Sequence, residues 1–218
     1  DGPAVYRSVD GGSTWTEHTI TSEIGMHPAL QHAHEVATAV DDEGNLYATW
    51  IADDYMIWYS YSRDQGDSWS DPMMIAAPGV TETGFPTIFA GSEGRVVIGY
   101  IGEVNDVQTN ATNSGWSGYM AIMTDAFAEY PLITSVAVNH PDDPLDITSD
   151  CGARRCGGFG DFIDVELDDE GRPWIALAHN TAGYDEAIIG TLTEGPSLYG
   201  DLNYLEMLPS GGPSTLKL

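Results

Sequence analysis

A chain of 218 residues, 42% of them hydrophobic, holds enough apolar material for one large all-β domain or two small ones. Its 34 acidic residues against 7 basic ones give a net charge of −27, a surface that repels nucleic acid and anionic membranes. No run approaches the ~20 uninterrupted apolar residues of a membrane span, so no span is expected in this chain.

In chain order, residues 4–7 read as a short strand that leads into Ser8, Asp10, Gly12, Thr14 and Trp15. No signal peptide is visible ahead of it, and the chain reads as a processed product or as part of something longer. Residues 26–35 gather three histidines; in a strand His32 and His34 project to one face, with Glu35 beside them. Residues 36–40 and 45–50 alternate around Asp-Asp-Glu-Gly and predict a hairpin. A strand over 56–61 follows, then Ser62, Asp64, Gly66, Ser68 and Trp69, which repeat the spacing of the first set. A second hairpin is predicted over 86–100 around Gly-Ser-Glu-Gly, and a third over 162–177 around Asp-Asp-Glu-Gly. Strands are expected at 119–123 and 187–192. Between them, residues 124–127 read as a decayed copy of the eight-residue pattern, and 139–160 have the Pro, Asp, Gly and Cys content of a loop.

Both eight-residue segments fit Ser-x-Asp-x-Gly-x-(Ser/Thr)-Trp, each flanked by strand-like runs. The chemistry suits a turn. An aspartate accepts hydrogen bonds from backbone N–H groups just downstream, glycine tolerates positive φ, and tryptophan supplies a flat apolar body with one N–H. The pattern resembles the Asp-box, or BNR repeat, of sialidase-like β-propellers, where the box joins the third and fourth strands of a blade. The resemblance implies an all-β propeller with structural boxes at Ser8, Asp10, Gly12, Trp15 and at Ser62, Asp64, Gly66, Trp69. About three and a half blades are expected: a partial blade over 1–20, then blades over about 27–78, 84–138 and 160–208, with an insertion at 139–160. A closed ring has typically about 4–8 blades, so the expectation is part of a larger ring in a longer parent chain, or a ring with one poorly recognised blade.

Sialidases bind a substrate carboxylate with three arginines and use a Tyr/Glu pair with an Asp acid/base; the planar guanidinium fork suits a carboxylate. Arg7 and Arg63 flank or lie inside the boxes, and Arg95 and Arg172 follow the Glu-Gly turns, so these four read as blade-edge surface residues. The Phe/Tyr-Arg-Ile-Pro segment that opens sialidase domains is absent. Arg154 and Arg155, beside Asp161, remain the ligand-binding candidates, with an internal salt bridge as the competing reading. His32, His34 and Glu35 form a second candidate set, for a shared metal or acid/base work. Trp58, Tyr59, Tyr61 and Trp116 offer a sugar platform or plain blade packing.

Cys151 and Cys156 read as a short-loop disulfide of an oxidising compartment, because a zinc site needs more ligands and no second cysteine pair exists. Asn110 begins a glycosylation sequon. Asp142, Asp143, Asp146 and Asp150 are oxygen ligands of the kind Ca²⁺ takes, but they do not follow the EF-hand pattern, and a solvated acidic loop competes. The acidity itself has three readings: an acidic secreted propeller, a high-salt origin, or calcium binding, the one cofactor suggested. The whole predicts an extracellular or cell-surface module with a non-catalytic binding or structural role, its partner a glycan or another extracellular protein. The alternative is one portion of a sialidase-like glycoside hydrolase.

Overall fold

A computed structural model describes residues 2–26, 36–104, 115–145, 163–179 and 186–200. Its strands form four antiparallel sheets, and the described residues contain no helix. The first sheet pairs β1 (Ala4–Arg7) with β2 (Thr16–Thr19). The second runs β3 (Val36–Val40), β4 (Leu46–Ile51), β5 (Ile57–Ser62) and β6 (Met73–Met74). The third runs β7 (Glu82–Ala90), β8 (Val96–Glu103), β9 (Trp116–Met123) and β10 (Thr134–Ala137), and the last β11 (Ile163–Leu167), β12 (Pro173–His179) and β13 (Glu186–Thr191). Strand order in space follows strand order in the chain, so each sheet is a plain meander.

The three predicted hairpins are β3–β4, β7–β8 and β11–β12. Each turns on a glycine in the left-handed region, with φ of 85° at Gly44, 71° at Gly94 and 75° at Gly171. A side chain there would meet its own backbone.

The sheets stack face to face through alternation along their middle strands. Tyr47 and Ile51 of β4 enter the core shared with the third sheet, while Ala48 and Trp50 enter the core under β1 and β2. Val96, Ile98 and Tyr100 of β8 face the second sheet; Val97 and Ile101 face Val165, Ile175 and Leu177 of the last. Both middle strands are buried on both faces, which is why they read as near-continuous apolar runs rather than clean alternations. The sheets come closest along their first strands: β7 lies against β3 on one side and β11 on the other. Gly118 of β9 permits the approach of the last sheet, because a Cβ there would sit 2.6 Å from Cδ2 of Leu177.

Candidate functional site

The meander leaves two edges of different character. One carries the turns β1–β2, β3–β4, β5–β6, β7–β8, β9–β10 and β11–β12. The two eight-residue turns repeat the same serine and aspartate bonds. Ser8 Oγ donates to Asp10 Oδ1 at 2.9 Å and accepts from Gly12 N at 2.8 Å; Ser62 Oγ donates to Asp64 Oδ1 at 2.8 Å and accepts from Gly66 N at 2.8 Å. Asp10 receives the Thr14 amide at 2.9 Å and hydroxyl at 2.7 Å; Asp64 receives the Ser68 amide at 2.8 Å and hydroxyl at 2.6 Å. These donors hold both carboxyls at about 2, the Thr14 amide leading at Asp10 and the Ser68 hydroxyl at Asp64. Trp15 Nε1 donates back to Gly12 O at 3.1 Å, whereas Trp69 is drawn into the core under the first sheet and its Nε1 has no partner among the described residues. The segment 124–127 joins third and fourth strands as well, but there Asp125 accepts from Leu132 N at 3.1 Å, a different loop closure.

The acidic hairpin turns repeat a second arrangement. Asp41 Oδ1 accepts the Glu43 and Asn45 amides at 3.0 and 2.9 Å, and Asp168 Oδ1 accepts the Glu170 and Arg172 amides, both at 3.0 Å. The other oxygen of each takes an aromatic donor six residues on, Tyr47 Oη at 2.5 Å and Trp174 Nε1 at 3.0 Å. Burial raises the Asp41 carboxyl, but the Tyr47, Asn45 and Gly94 donors outweigh it and hold it low; burial, then Asp41, pushes the Tyr47 phenol up.

Arginines tie this edge together. Arg7 reaches from the first sheet to Gln65 O at 2.6 Å and Asp67 Oδ1 at 2.8 Å. Arg63 reaches from the second sheet to Glu93 at 2.9 Å and lies 4.6 Å above the Phe127 ring. Arg95 reaches from the third to Ser197 O at 2.7 Å. Arg172 corrects the expectation of four surface arginines. Its side chain is 1% exposed and donates to Leu192 O at 2.6 Å, with Glu170 at 3.4 Å and Asp168 at 3.7 Å. The carbonyl that receives it lies 20 residues downstream, beyond the reach of a local reading.

On the opposite edge, where β7 begins and β8 ends, Glu82 pairs across the strands with Glu103, and Glu103 with Trp116. Glu103 is 3% exposed. His179, at the end of β12, is also 3% exposed and places Nε2 3.5 Å from Asp143 Oδ1. Asn139 orients that loop, accepting from Gly118 N at 2.8 Å and donating to Asp143 O at 2.9 Å. Two aromatic residues here hold left-handed backbone, Tyr55 with φ 66° and Phe85 with φ 51°. Such a conformation costs a bulky residue about 1–3 kcal/mol. Thr83 sustains it, giving both amide (2.8 Å) and hydroxyl (2.9 Å) to Tyr55 O, and β7 shifts register between Gly84 and Thr87. This edge thus carries carboxylates, an imidazole and aromatic rings contributed by different sheets.

Sequence reasoning did not single out Glu82, Glu103, Tyr55, Phe85 or His179. The available signal was a charge closing an apolar strand, as Glu103 and His179 do. Of the earlier sugar-platform residues, Tyr59 and Trp116 are core, and Trp58 is tied to Asp54 at 3.1 Å. Asp142 and Asp143 diverge: Asp142 N donates to His140 Nδ1 at 3.2 Å while Asp143 meets His179. Among the described residues no three acidic, histidine or cysteine side chains stand at metal-holding distance. His32, His34, Glu35, Asn110, Asp146, Asp150, Cys151, Arg154, Arg155, Cys156 and Asp161 lie outside the described residues.

No protein-family model and no curated protein matches the chain. Solved structures do. Hadza microbial sialidase Hz136 superposes with a TM-score of 0.51 at 15% identity, over 85% of this chain and 37% of that one. A protein of unknown function from Dyadobacter fermentans gives 0.50 at 12% identity, over 84% and 43%. The intramolecular trans-sialidase of Ruminococcus gnavus gives 0.45 at 17% identity, over 83% and 33%. The likeness is one of fold, and the chain spans less than half the length of each.

Proposed function

We propose that this chain is a segment of a sialidase-like Asp-box β-propeller and works as an extracellular or cell-surface carbohydrate-binding module, without completing a glycosidase site of its own. The matched turns and the fold shared with sialidase Hz136 support the propeller. The observation that carries the non-catalytic reading is the commitment of the arginines. Arg7, Arg63, Arg95 and Arg172 are bound at the box edge. Only Arg154 and Arg155 remain of the chain's six, one short of the three that a sialidase-type carboxylate site uses. The second reading, a portion of a glycoside hydrolase completed by residues outside this chain, draws on the same likeness to Hz136.

The test presents the purified chain to arrayed neutral and sialylated oligosaccharides and, separately, to a fluorogenic sialoside. Binding without turnover is expected. Turnover that disappears in Arg154→Ala overturns the non-catalytic reading, and an array on which nothing binds overturns the carbohydrate one. The extracellular placement carries its own proposals, a Cys151–Cys156 disulfide and a glycan on Asn110. Two free thiols in peptides of the native secreted protein overturn the first.

A further inference from the structure

The middle strands of the second and third sheets, β4 and β8, are buried on both faces. The last sheet differs. Ile175 and Leu177 of β12 enter the core shared with the third sheet, while on the opposite face Trp174 and Ala178 are half-buried and Ala176 is exposed. The register fixes the neighbours on that outer face. Ala176 stands between Asp164 of β11 and Ile189 of β13, and Trp174 between Glu166 and Thr191. Directly opposed residues of antiparallel strands share a face, with Cβ atoms about 4.5–5.5 Å apart, so these side chains form one continuous patch.

The two carboxylates decide what can cover it. Counted back from Asp41 and Asp168, which open the hairpin turns, Asp164 and Glu166 hold the places of Ala37 and Ala39. Those alanines pack against the core shared with the third sheet, whereas both acids are exposed. A further apolar sheet, laid on as the others are, would strip the acids of water and return no counter-charge, which is strongly unfavourable. The covering surface therefore has to bring cations. Neighbouring sheets of this chain already pair in that way: Arg7 crosses to Asp67 at 2.8 Å and Arg63 to Glu93 at 2.9 Å. A second copy is a poor occupant, since four of the 7 basic side chains are committed at the box edge and each copy carries −27.

We propose that the outer face of the last sheet is a protein-docking surface whose occupant is a separate basic polypeptide in extended conformation. Asp164 and Glu166 lie two residues apart on one strand, about 6.5–7 Å. An extended segment with a cation at every second residue repeats that spacing. Its arginine or lysine heads meet the two carboxylates, and their methylene stems lie along Ala176 and Ile189. This surface is independent of the carbohydrate reading and stands or falls apart from it.

The test titrates the intact chain into two fluorescently labelled decapeptides of equal charge, one alternating arginine and threonine, the other with its arginines in a single block. At about 0.15 M NaCl, where long-range attraction is largely screened, the alternating peptide should bind at least about threefold more tightly. The Asp164→Asn, Glu166→Gln double variant should weaken that binding about fivefold or more. Asp71→Asn with Glu129→Gln removes the same charge from exposed residues elsewhere and should change it less than about twofold. Without any substitution, carbodiimide and glycinamide should label Asp164 and Glu166 in the free chain, and saturating alternating peptide should protect both. Equal affinity for the two peptides, or equal loss in the two double variants, reduces the attraction to bulk charge and overturns the site. Acids that resist labelling in the free chain show the face already covered by the chain itself, and overturn it too. A dimer in sedimentation that Ala176→Gln dissociates gives the face to a second copy instead, and a chain that binds neither peptide leaves the proposal refuted.

Discussion

Replacing Tyr47 by phenylalanine removes one oxygen atom from the junction of the second and third sheets. That oxygen donates to Asp41 Oδ2 at 2.5 Å and accepts from Gly94 N at 3.0 Å, and the side chain is fully buried. A hydrogen bond to a charged group contributes about 1.5–3 kcal/mol. Gly94 N keeps Asp41 Oδ2 at 3.3 Å, and Asn45 continues to hold both carboxylate oxygens at 3.1 and 2.9 Å, so neither partner is stranded. The loss should therefore fall near the lower end, about 1.5–2 kcal/mol. At about 2–4 °C per kcal/mol for a chain of this length, the midpoint drops about 3–8 °C. Urea denaturation followed by tryptophan fluorescence, with calorimetry alongside, measures it. The double variant with Asp41→Asn should cost less than the sum of the two singles, because both remove the same bond. A loss under about 0.5 kcal/mol, or strict additivity, would refute the claim that this phenol, bonded to Asp41 in its own hairpin and to Gly94 N of the third sheet, stabilises the junction.

Acid should act through the matched turns. Asp10 and Asp64 ionise at about 2 when folded against an ordinary 3.8, so their stabilisation is present above the unfolded value and is lost as pH falls from about 4 toward 2; the Asp10→Asn, Asp64→Asn double variant should show a flatter midpoint-against-pH curve over that window, and an identical curve counts against it. Gly118→Val should destabilise by about 1–3 kcal/mol through overpacking, since its Cβ meets Leu177 at 2.6 Å; an unchanged denaturation midpoint would show that the last sheet shifts freely. Sodium chloride should raise the thermal midpoint by screening the −27 charge over a Debye length that shrinks from ~10 Å at 0.1 M to ~3 Å at 1 M. Calcium chloride at equal ionic strength should exceed it only if the acids hold the ion in the native state, and a midpoint deaf to both salts removes both explanations of the acidity.

What could be read from the sequence depended on how far apart the interacting groups lie in the chain. The serine and aspartate bonds that shape an eight-residue turn close within the motif, from Ser62 to Asp64 and Gly66 and from Asp64 to Ser68, so its spacing is its structure. The hairpins were legible for the same reason, through a glycine turn between two runs of strand formers. The outer strands β6 and β10 were not read as individual strands. One is two residues long, the other is Thr-Ser-Val-Ala on a sheet edge, and neither carries a period-2 signal. Arg172 was misplaced because local sequence shows a charge after a turn, while the carbonyl that buries it arrives only after β13 has formed. Glu103, His179, Tyr55 and Phe85 acquire their setting from the stacking of one sheet on the next, which no window of adjacent residues contains.

The two edges divide the chemistry of the molecule. At the box edge the aspartates are saturated with donors from their own turns, and four arginines bridge neighbouring segments. A ligand arriving there would have to break bonds that hold sheets together. At the opposite edge the functional groups come from strand ends of different sheets, and their positions follow from packing rather than from local turns. In a chain with 7 cationic side chains, placing four of them at one edge leaves the other to carboxylate, imidazole and aromatic chemistry among the described residues. Such a surface has hydrogen-bond acceptors for hydroxyls and apolar faces for rings, and it opposes an anion. The demand for arginine at the box edge thus leaves the opposite edge acidic among the described residues, because the chain has so little positive charge to distribute.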